Sequence, residues 1–368
     1  MVKFTCGRSV LAQAVSTASR AVLNRSSMPV LEGLLLHLSR GVLQITGYDM
    51  EIGVRCSIAV ESGDEGEFVI AAGTLNDILR KLPEGEVVVE VDQGEVTITS
   101  GYSVFNILSL DASSYPPVEM KREGFHFSLQ QKTVRSLVQQ TVFAVSQSDS
   151  KPVHTGCLFH LEGEDLEVVG LDGYRLAIRR EKLTVPVEET LEFVVPGRTM
   201  LELARILNDS EEEVTIWPTR RSVVVETENI ILVTRTIEGE FLNYKNALPK
   251  EEMLELRFQV KEFLECLDRT SLLISEKQRS PLRLLFQRDE LTLTCITPIG
   301  SVTDKLILKY PYETLEIGFN NRFLIDAFKN AEAEEVRVFV KSSLSPMVIQ
   351  PVEDDHFLFL ILPVRLRG

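Results

Sequence analysis

The chain repeats one segment of sequence three times, and this repetition limits its possible folds more than any single motif does. Pro29 and Asp49 lie in the first copy, and Pro152 and Asp172 lie 123 residues later in the second. A third, more divergent copy begins at Pro281. Internal repeats of this kind predict a fold that is built from similar modules.

The length of 368 residues suits three modules of about 120 residues each, a common domain size. We predict modules at 1–123, 124–248 and 249–368, joined by linkers near 115–123 and 248–250. Apolar residues at helical spacing predict two helices in each module, and β-branched runs predict hairpins. The predicted helices are 7–25, 73–82, 130–146, 197–208, 260–275 and 320–331. The fold class is α+β, with two helices packed on antiparallel sheets in every module.

Composition favours an intracellular protein. No run of about 18 apolar residues is present, so a transmembrane helix is not expected. The first residues lack the apolar core of a signal peptide. Five cysteines are scattered along the chain, which suits a reducing compartment. We therefore predict a cytoplasmic location and no association with a membrane.

Charge is distributed unevenly between the predicted helices and the rest of the chain. The whole chain carries 39 Lys and Arg against 54 Asp and Glu, a net charge of −15. The six predicted helices instead carry 13 Lys and Arg against 6 Asp and Glu. If these helices share one side of the protein, that side is basic and the sheets behind it are acidic. Solvated helix faces often carry such residues, so this pattern alone leaves both interpretations open.

The sequence contains no constellation that predicts catalysis or a bound cofactor. Neither common Gly-rich phosphate motif is present. His154, Cys157 and His160 have a spacing that could indicate zinc, but in a strand Cys157 points away from both histidines. Asp49 and Asp172 are interpreted as repeated turn or cap residues rather than paired catalytic carboxylates. We expect no metal, no cofactor and no enzymatic activity.

Four segments resemble the bacterial sliding clamp family, the beta subunit of the replicative DNA polymerase. Leu171–Ala177 (LDGYRLA) is similar to the family's Thr-Asp-Gly-His-Arg-Leu-Ala, and Leu362–Leu366 (LPVRL) to its Met-Pro-Met-Arg-Leu. Pro29–Leu31 and Thr46–Glu51 add to the resemblance, which covers the whole chain. It implies a head-to-tail homodimeric ring of six modules whose helices surround duplex DNA.

The resemblance and the helix charges together give a set of candidate DNA-facing residues. Arg25 matches a family arginine that contacts DNA, Lys151 lies in a loop of the second module, and two further residues lie in the corresponding third-module loop. The remainder are basic residues of the predicted helices. The full set is Arg25, Lys151, Lys277, Arg279, Arg20, Arg80, Lys132, Arg198, Arg205, Arg322 and Lys329. Contacts of this kind to phosphates carry no sequence information and allow sliding.

The resemblance also implies a hydrophobic groove that binds short linear motifs. The partners implied are the polymerase catalytic subunit, the clamp loader, and repair and translesion polymerases. The matching positions are Leu171, Gly173, Tyr174, Arg175, Leu176, Leu242, Asn246, Ala247, Gln278, Leu344, Pro346, Leu360, Ile361, Leu362, Pro363, Val364, Arg365 and Leu366. Tyr174, Asn246 and Gln278 depart from the histidine, basic and aromatic residues that the family often has there, which bears on peptide preference.

The subunit interface implied by the resemblance pairs an edge strand of the first module with the third module of a second copy. Phe105 and Ile107 match one side, and Leu272 and Leu273 match the other. Two other hypotheses stay open at this point. One is a three-module protein scaffold that does not act on DNA, and the other is an enzyme, which would need a nucleophile or metal constellation.

Overall fold

The structure is a computed structural model that describes residues 2–249, 253–274 and 280–366, with backbone alone for 309–312. The chain divides into two compact units, and neither coincides with a predicted module. Unit 1 comprises Met1–Gln131 and Arg205–Thr236, and unit 2 comprises Lys132–Ala204 and Ile237–Gly368. The module boundaries drawn from the repeat therefore remain a prediction. No helix of the described residues is long and apolar enough to cross a membrane.

Each α-helix of the described residues begins directly after a strand or one residue beyond it, and all but the second are shorter than their predicted windows. The helices are α1 (Arg8–Ala18), α2 (Ala72–Lys81), α3 (Gln131–Val142), α4 (Gly197–Ile206), α5 (Val260–Ser271) and α6 (Asn321–Lys329). The largest difference is at the first helix, predicted as 7–25. The Ser19 hydroxyl donates to the Val15 carbonyl at 2.6 Å, a single 3-10 turn follows, and Val22 is extended. Arg25 therefore lies beyond the helix.

The described strands account for most of the rest of the chain. They are β1 (Val2–Gly7), β2 (Gly33–Ser39), β3 (Val42–Tyr48), β4 (Ile52–Ala59), β5 (Gly66–Ala71), β6 (Glu86–Asp92), β7 (Glu95–Ser100), β8 (Ser103–Leu108), β9 (Phe127–Gln130), β10 (Gly156–Glu162), β11 (Asp165–Leu171), β12 (Arg175–Lys182), β13 (Leu191–Pro196), β14 (Glu213–Pro218), β15 (Ser222–Glu226), β16 (Ile230–Arg235), β17 (Leu254–Gln259), β18 (Leu282–Thr297), β19 (Gly300–Phe319), β20 (Glu335–Val340), β21 (Met347–Pro351) and β22 (Phe357–Ile361).

Unit 1 holds two antiparallel sheets. One has four strands in the order β1-β6-β7-β8, and the other has eight in the order β5-β2-β3-β4-β16-β15-β14-β9. In the larger sheet, strands of the first predicted module join strands of the second where β4 pairs with β16. Ile52 pairs with Thr234 and Cys56 with Ile230 at this junction. The shared sheet is why the compact units cut across the predicted modules.

Unit 2 repeats this arrangement. Its eight-stranded sheet has the order β13-β10-β11-β12-β22-β21-β20-β17, and strands of the second and third predicted modules join where β12 pairs with β22. Arg175 pairs with Ile361 and Arg179 with Phe357 there. The remaining sheet consists of β18 and β19 alone, which have 16 and 20 residues. The third predicted module therefore contains one long ribbon, with register shifts on either side of Arg288.

The repeat is preserved at the level of single contacts. A Cβ on Gly47 would lie 2.1 Å from the Ala18 carbonyl oxygen, and one on Gly170 would lie 2.3 Å from that of Thr141. Since Gly47 and Gly170 are 123 residues apart, the first and third helices approach equivalent strands equally closely. Only glycine permits such a close backbone approach.

The two repeated aspartates also have one structural role. The Asp49 Oδ1 accepts from the backbone N–H groups of residues 51 and 52 at 3.0 and 2.7 Å. The Asp172 Oδ1 accepts from those of residues 174 and 175 at 2.8 and 3.0 Å. Each carboxylate thus closes the turn between two strands, as Asp side chains commonly do. The interpretation of these residues as turn residues is confirmed.

Candidate DNA-facing helices, peptide groove and open strand edges

The predicted DNA-facing residues that the structure describes are mostly exposed. Arg20 is half-buried, whereas the others extend into solvent from helices or adjoining loops. The exposed set is Arg25, Arg80, Lys132, Lys151, Arg198, Arg205, Arg322 and Lys329. Lys277 and Arg279 lie outside the described residues. The exposed basic side chains of this set can attract phosphate groups without a shaped binding pocket.

The cleft between α1 and α2 shows how this surface is built. It has a volume of about 560 Å³ and is lined by Ser16, Arg20, Asn76 and Arg80 among others. Arg8 donates to the carbonyl of Leu79 at 2.7 Å and so satisfies the C-terminal end of α2. Arg80 pairs with Asp77 at 2.7 Å, which reduces its free charge. The cleft is therefore polar and basic, but its arginines serve partly to hold the helices.

Helix α5 is the exception to the basic pattern. It carries Glu262, Glu265 and Asp268 against two basic residues. Arg269 is itself paired with Asp304 at 2.5 Å. The structure thus retains the incomplete charge separation that is visible in the sequence.

The predicted peptide groove lies within unit 2 and has a buried floor. Leu171, Leu176, Leu360 and Ile361 are between 1% and 4% exposed, so they support the groove from the core rather than present side chains at its surface. The exposed apolar residues are Tyr174, Leu242, Leu344, Leu362 and Val364. Gly173, Asn246, Ala247 and Arg365 are exposed, and Pro346, Pro363 and Leu366 are half-buried. Gln278 lies outside the described residues.

Arg175 organises the groove from below. Its guanidinium contacts Asp172 at 3.1 Å and Asp326 at 2.6 Å. The same group lies 4.5 Å from the centre of the Phe323 ring. The Tyr174 ring stacks against Phe323 with ring centres 6.4 Å apart. A buried Arg with two carboxylate partners and an aromatic face is held rigidly. Arg175 therefore fixes α6 against the turn that carries Tyr174.

The C-terminal segment forms one wall of the groove through backbone contacts. The Leu362 N–H donates to the Tyr174 carbonyl at 2.9 Å, and the Val364 N–H donates to that of Gly318 at 2.8 Å. The Leu366 side chain packs against Gly318, where a Cβ would meet its Cδ2 at 2.5 Å. These contacts hold the segment in an extended form while Leu362 and Val364 stay about 40% exposed.

The linker that carries Asn246 and Ala247 packs on the floor of the predicted groove through Tyr244. The Tyr244 hydroxyl donates to Glu167, and Arg180 donates to the same carboxylate at 2.9 Å. Burial alone would raise the pKa of Glu167, but the hydrogen bonds from Tyr244 and Arg180 outweigh it and lower that pKa. Burial and the bond to Glu167 raise the pKa of Tyr244. The linker is thus anchored by an ionised carboxylate.

Sequence reasoning missed Phe323, Asp326, Tyr244, Glu167 and Gly318. Phe323 and Asp326 lie on the predicted helix 320–331, and their spacing of three residues places both on one face. This spacing shows that the two residues share one face of the helix, but it does not show which residues that face contacts. The contacts of the others depend on residues more than 40 positions away, which no local pattern reveals.

Of the predicted interface residues, two lie on an edge strand and two lie at the C-terminal end of helix α5. Strand β8, with Phe105 and Ile107, is an edge of its sheet. Both of these side chains are half-buried, and the neighbouring Val104 and Leu108 are 58% and 81% exposed. Leu272 is 82% exposed, and Leu273 is half-buried. Exposed apolar residues along a free edge are a template for pairing with another chain.

The structure gives His154, Cys157 and His160, which have a zinc-like spacing, different surroundings. His154 lies in a 3-10 turn, Cys157 is fully buried, and His160 contacts Glu192 at 2.7 Å. Burial raises the pKa of the Cys157 thiol to about 12, which disfavours the thiolate that binds metals. No group of three potential metal ligands is present among the residues described.

Comparison with known proteins places the whole chain in one family. Residues 2–119, 128–243 and 245–365 match the N-terminal, central and C-terminal domains of the DNA polymerase III beta subunit. The Beta sliding clamp of Halalkalibacterium halodurans is 34% identical, over 98% of this chain and 99% of that protein. The Beta sliding clamp of Bacillus subtilis is 31% identical, over 99% and 100%.

Solved structures agree. The DNA polymerase sliding clamp from Bacillus subtilis superimposes with a TM-score of 0.95 at 30% identity, covering all of both chains. The DnaN sliding clamp from Pseudomonas aeruginosa, bound to griselimycin, gives 0.94 at 27% identity over 99% of this chain and 100% of that one. The chain therefore belongs to the DNA polymerase III beta subunit family, the beta sliding clamps.

Proposed function

We propose that this protein is a DNA sliding clamp: a homodimeric ring that encircles duplex DNA and tethers the replicative polymerase and other partners through its peptide groove. It acts as a non-catalytic subunit, and its place of action is the cytoplasm. The alternative of a scaffold that never meets DNA is disfavoured by family membership. The proposal of a ring rests on one observation: strands of successive predicted modules pair with each other within a single sheet.

Two junctions in the chain follow one rule. Strand β4 begins at Ile52 after the turn 49–51 and pairs antiparallel with β16, which begins at Ile230 after the turn 227–229. Strand β12, which begins at Arg175, pairs with β22 in the same sense. The end of each module thus extends the sheet of the preceding one.

Two strands of this type have an edge without a partner strand in the part of the chain that the structure describes. Strand β19 begins at Gly300 after the turn from β18, as β4 follows the turn from β3, and β8 begins at Ser103 after the turn from β7, as β16 follows the turn from β15. Among the described residues β19 pairs as a strand only with β18, and β8 pairs only with β7. A second copy supplies the missing partner strands, and two such junctions close a ring with two-fold symmetry, which leaves no free heterologous edge.

The rule also fixes the register. Because Ile52 pairs with Thr234 and Val54 with Leu232, we expect Gly300 to pair with Ile107 of a second copy and Val302 with Phe105. A Cβ at Gly300 would lie 3.9 Å from Leu273, so this register brings Ile107 next to Leu273. The interface residues inferred from the family resemblance and the register inferred from the fold thus converge.

The basic helix residues are proposed as the DNA-facing surface of the ring, including Lys277 and Arg279 outside the described residues. Their phosphate contacts are weak and non-specific, which suits sliding. Topological linkage then supplies the persistence that such contacts lack.

The groove is proposed to bind short linear peptides. Its exposed Leu344, Leu362 and Val364 suit apolar anchors, and its floor is rigid. The DnaN sliding clamp of Pseudomonas aeruginosa is bound to griselimycin in its solved structure, so a member of this family binds a ligand. The proposal covers the catalytic polymerase subunit, the clamp loader, and repair and translesion polymerases.

Encirclement is tested by loading the protein onto nicked circular DNA with a clamp loader and ATP, then raising the salt. We expect retention on circles and loss when a restriction enzyme linearises the DNA. A matched sample carrying Arg40→Gln, an exposed arginine outside the proposed DNA-facing set, is expected to behave identically. Equal retention on linear and circular DNA would contradict the ring.

A further inference from the structure

Unit 1 has a position equivalent to the predicted peptide groove of unit 2, but it carries arginines where the groove carries leucines. The Arg235 N–H donates to the Glu51 carbonyl at 3.2 Å, as the Leu362 N–H does to that of Tyr174. Residues 51 and 174 are 123 apart, so Arg235 stands where the groove has Leu362. The turn between β14 and β15 likewise carries Arg220 and Arg221 where the turn between β20 and β21 carries Leu344.

These three arginines, the arginine patch, are held together by the backbone. The Thr236 N–H donates to the Arg221 carbonyl at 3.1 Å, and the Thr236 hydroxyl donates to that of Arg220 at 3.2 Å. Arg220, Arg221 and Arg235 are all exposed. Among the described residues, no carboxylate lies within 4 Å of their guanidinium groups. Three uncompensated arginines in a chain of net charge −15 indicate an anionic ligand.

The patch lies on the face of its sheet that is turned away from α1. Trp217, Val224, Val233 and Gly53 are paired in one row across four strands, and Arg235 follows Val233 by two residues, so it shares their face. Cys56 belongs to the alternate set of β4 residues, and its thiol contacts the Ala18 backbone of α1. The patch is therefore on the side of this sheet opposite to helix α1.

A stacked aromatic pair, of which Trp217 is half-buried, lies on the same face. His126 stacks on Trp217 with ring centres 4.1 Å apart and an angle of 25°, and the His126 side chain is exposed. Arginines beside a stacked aromatic pair are the combination on which single-stranded nucleic acids bind, because phosphates meet the arginines and bases stack on the rings. An acidic peptide would use the arginines but not the stacking surface.

We propose that the arginine patch and the His126–Trp217 stack form a binding site for single-stranded DNA on the outside of the clamp. Duplex DNA inside the ring and an unpaired strand outside it would then bind to different surfaces of one molecule. Binding at this site is not sequence-specific, since its contacts are to phosphates and to the faces of bases.

The test uses the intact protein and an oligothymidylate of about 12 nucleotides, a length within the site sizes of single-strand binding folds. Trp217 is the only tryptophan in the chain, so its fluorescence reports stacking at this site alone. We expect saturable quenching of Trp217 that parallels the anisotropy of the labelled oligonucleotide. Binding that leaves Trp217 unquenched would place the strand elsewhere and overturn the proposal.

The matched variants are Arg220→Gln with Arg221→Gln, and Arg40→Gln with Arg288→Gln as the control. Both pairs remove two exposed arginines. We expect the patch variant to bind about tenfold more weakly at low salt and to lower the salt slope by about 1.4, since single strands contribute about 0.7 per phosphate contact. Equal loss in both variants, or polyglutamate that competes as well as the oligonucleotide, would overturn the proposal.

Discussion

The closed junction between β4 and β16 and the open edges of β8 and β19 are built from similar strands but differ in burial. At the closed junction Val54 and Leu232 are 0% and 1% exposed. At the open edges the equivalent Val302 and Phe105 are half-buried, and Val104 is 58% exposed. This difference is what the proposed ring requires: β8 and β19 would form a third junction only with a second copy of the chain.

The largest effect is expected from a charge placed at the open edge. Phe105→Asp would bury a carboxylate at the subunit junction, which costs several kcal/mol, so we expect the dimer to weaken by a factor of at least about 100. Because Phe105 is only half-buried in the single chain, the protomer should stay folded. Sedimentation at a series of concentrations measures the change. Val54→Asp at the closed junction serves as the contrast and is expected to unfold the protein.

The next effect separates the two closed junctions. Arg175→Met removes the partner of Asp172 and Asp326 and should destabilise unit 2 by about 3 kcal/mol, since a buried carboxylate loses its counter-ion. The equivalent residue in unit 1 is Ile52, so an electrostatic cost of this kind is absent there. The measurement is the denaturation midpoint together with peptide affinity. A double variant with Asp326→Asn should recover part of the loss, and failure to do so would mean that the pair is not coupled.

The repeat itself can be tested at its glycines. Gly47→Ala and Gly170→Ala each force a Cβ to within 2.5 Å of a carbonyl oxygen, and we expect both to cost about 2–3 kcal/mol. Gly73→Ala in α2 is the control, since a Cβ there meets nothing within 4 Å and alanine favours a helix by about 1 kcal/mol. A large difference between the first two variants in thermal unfolding would argue against equivalent packing in the two units.

The smallest effect concerns the linker that packs on the groove floor and depends on pH. The folded pKa of Glu167 is lowered, so its stabilising contribution is present above the ordinary carboxyl pKa and is lost as pH falls through the folded value. Tyr244→Phe removes one hydrogen bond and should cost about 0.5–1 kcal/mol at neutral pH. The difference between this variant and the parent should shrink below about pH 4. A difference that stays constant down to pH 3 would exclude this linkage.

Much of the local structure could be predicted from the sequence, because it depends on nearby residues. The helix starts, the hairpins and the turn role of Asp49 and Asp172 follow from local periodicity and side-chain chemistry. The predicted helix 7–25 extends beyond the observed end of α1 because the Ser19 hydroxyl competes for the Val15 carbonyl. The spacing of apolar residues carries no information about this competition.

The site could be predicted only in part. Family motifs indicated Tyr174 and Arg175 but not Phe323 or Asp326, which meet Arg175 from a helix about 150 positions further along the chain. The joining of modules through β4 and β16 was also invisible, since β-branched strands show that a sheet exists and not which strands are neighbours. Both features depend on pairing between distant segments.

The most direct test of ring closure is a disulfide placed in the expected register. Val104 is expected to lie opposite Thr303 of a second copy, so Val104→Cys with Thr303→Cys should oxidise to a covalently closed two-chain ring. Four of the five native cysteines are buried and should not interfere. The control, Val104→Cys with Ser301→Cys, is two residues out of register and should not cross-link efficiently. A monomeric protein, or equal cross-linking of both variants, would contradict closure by the rule of the internal junctions.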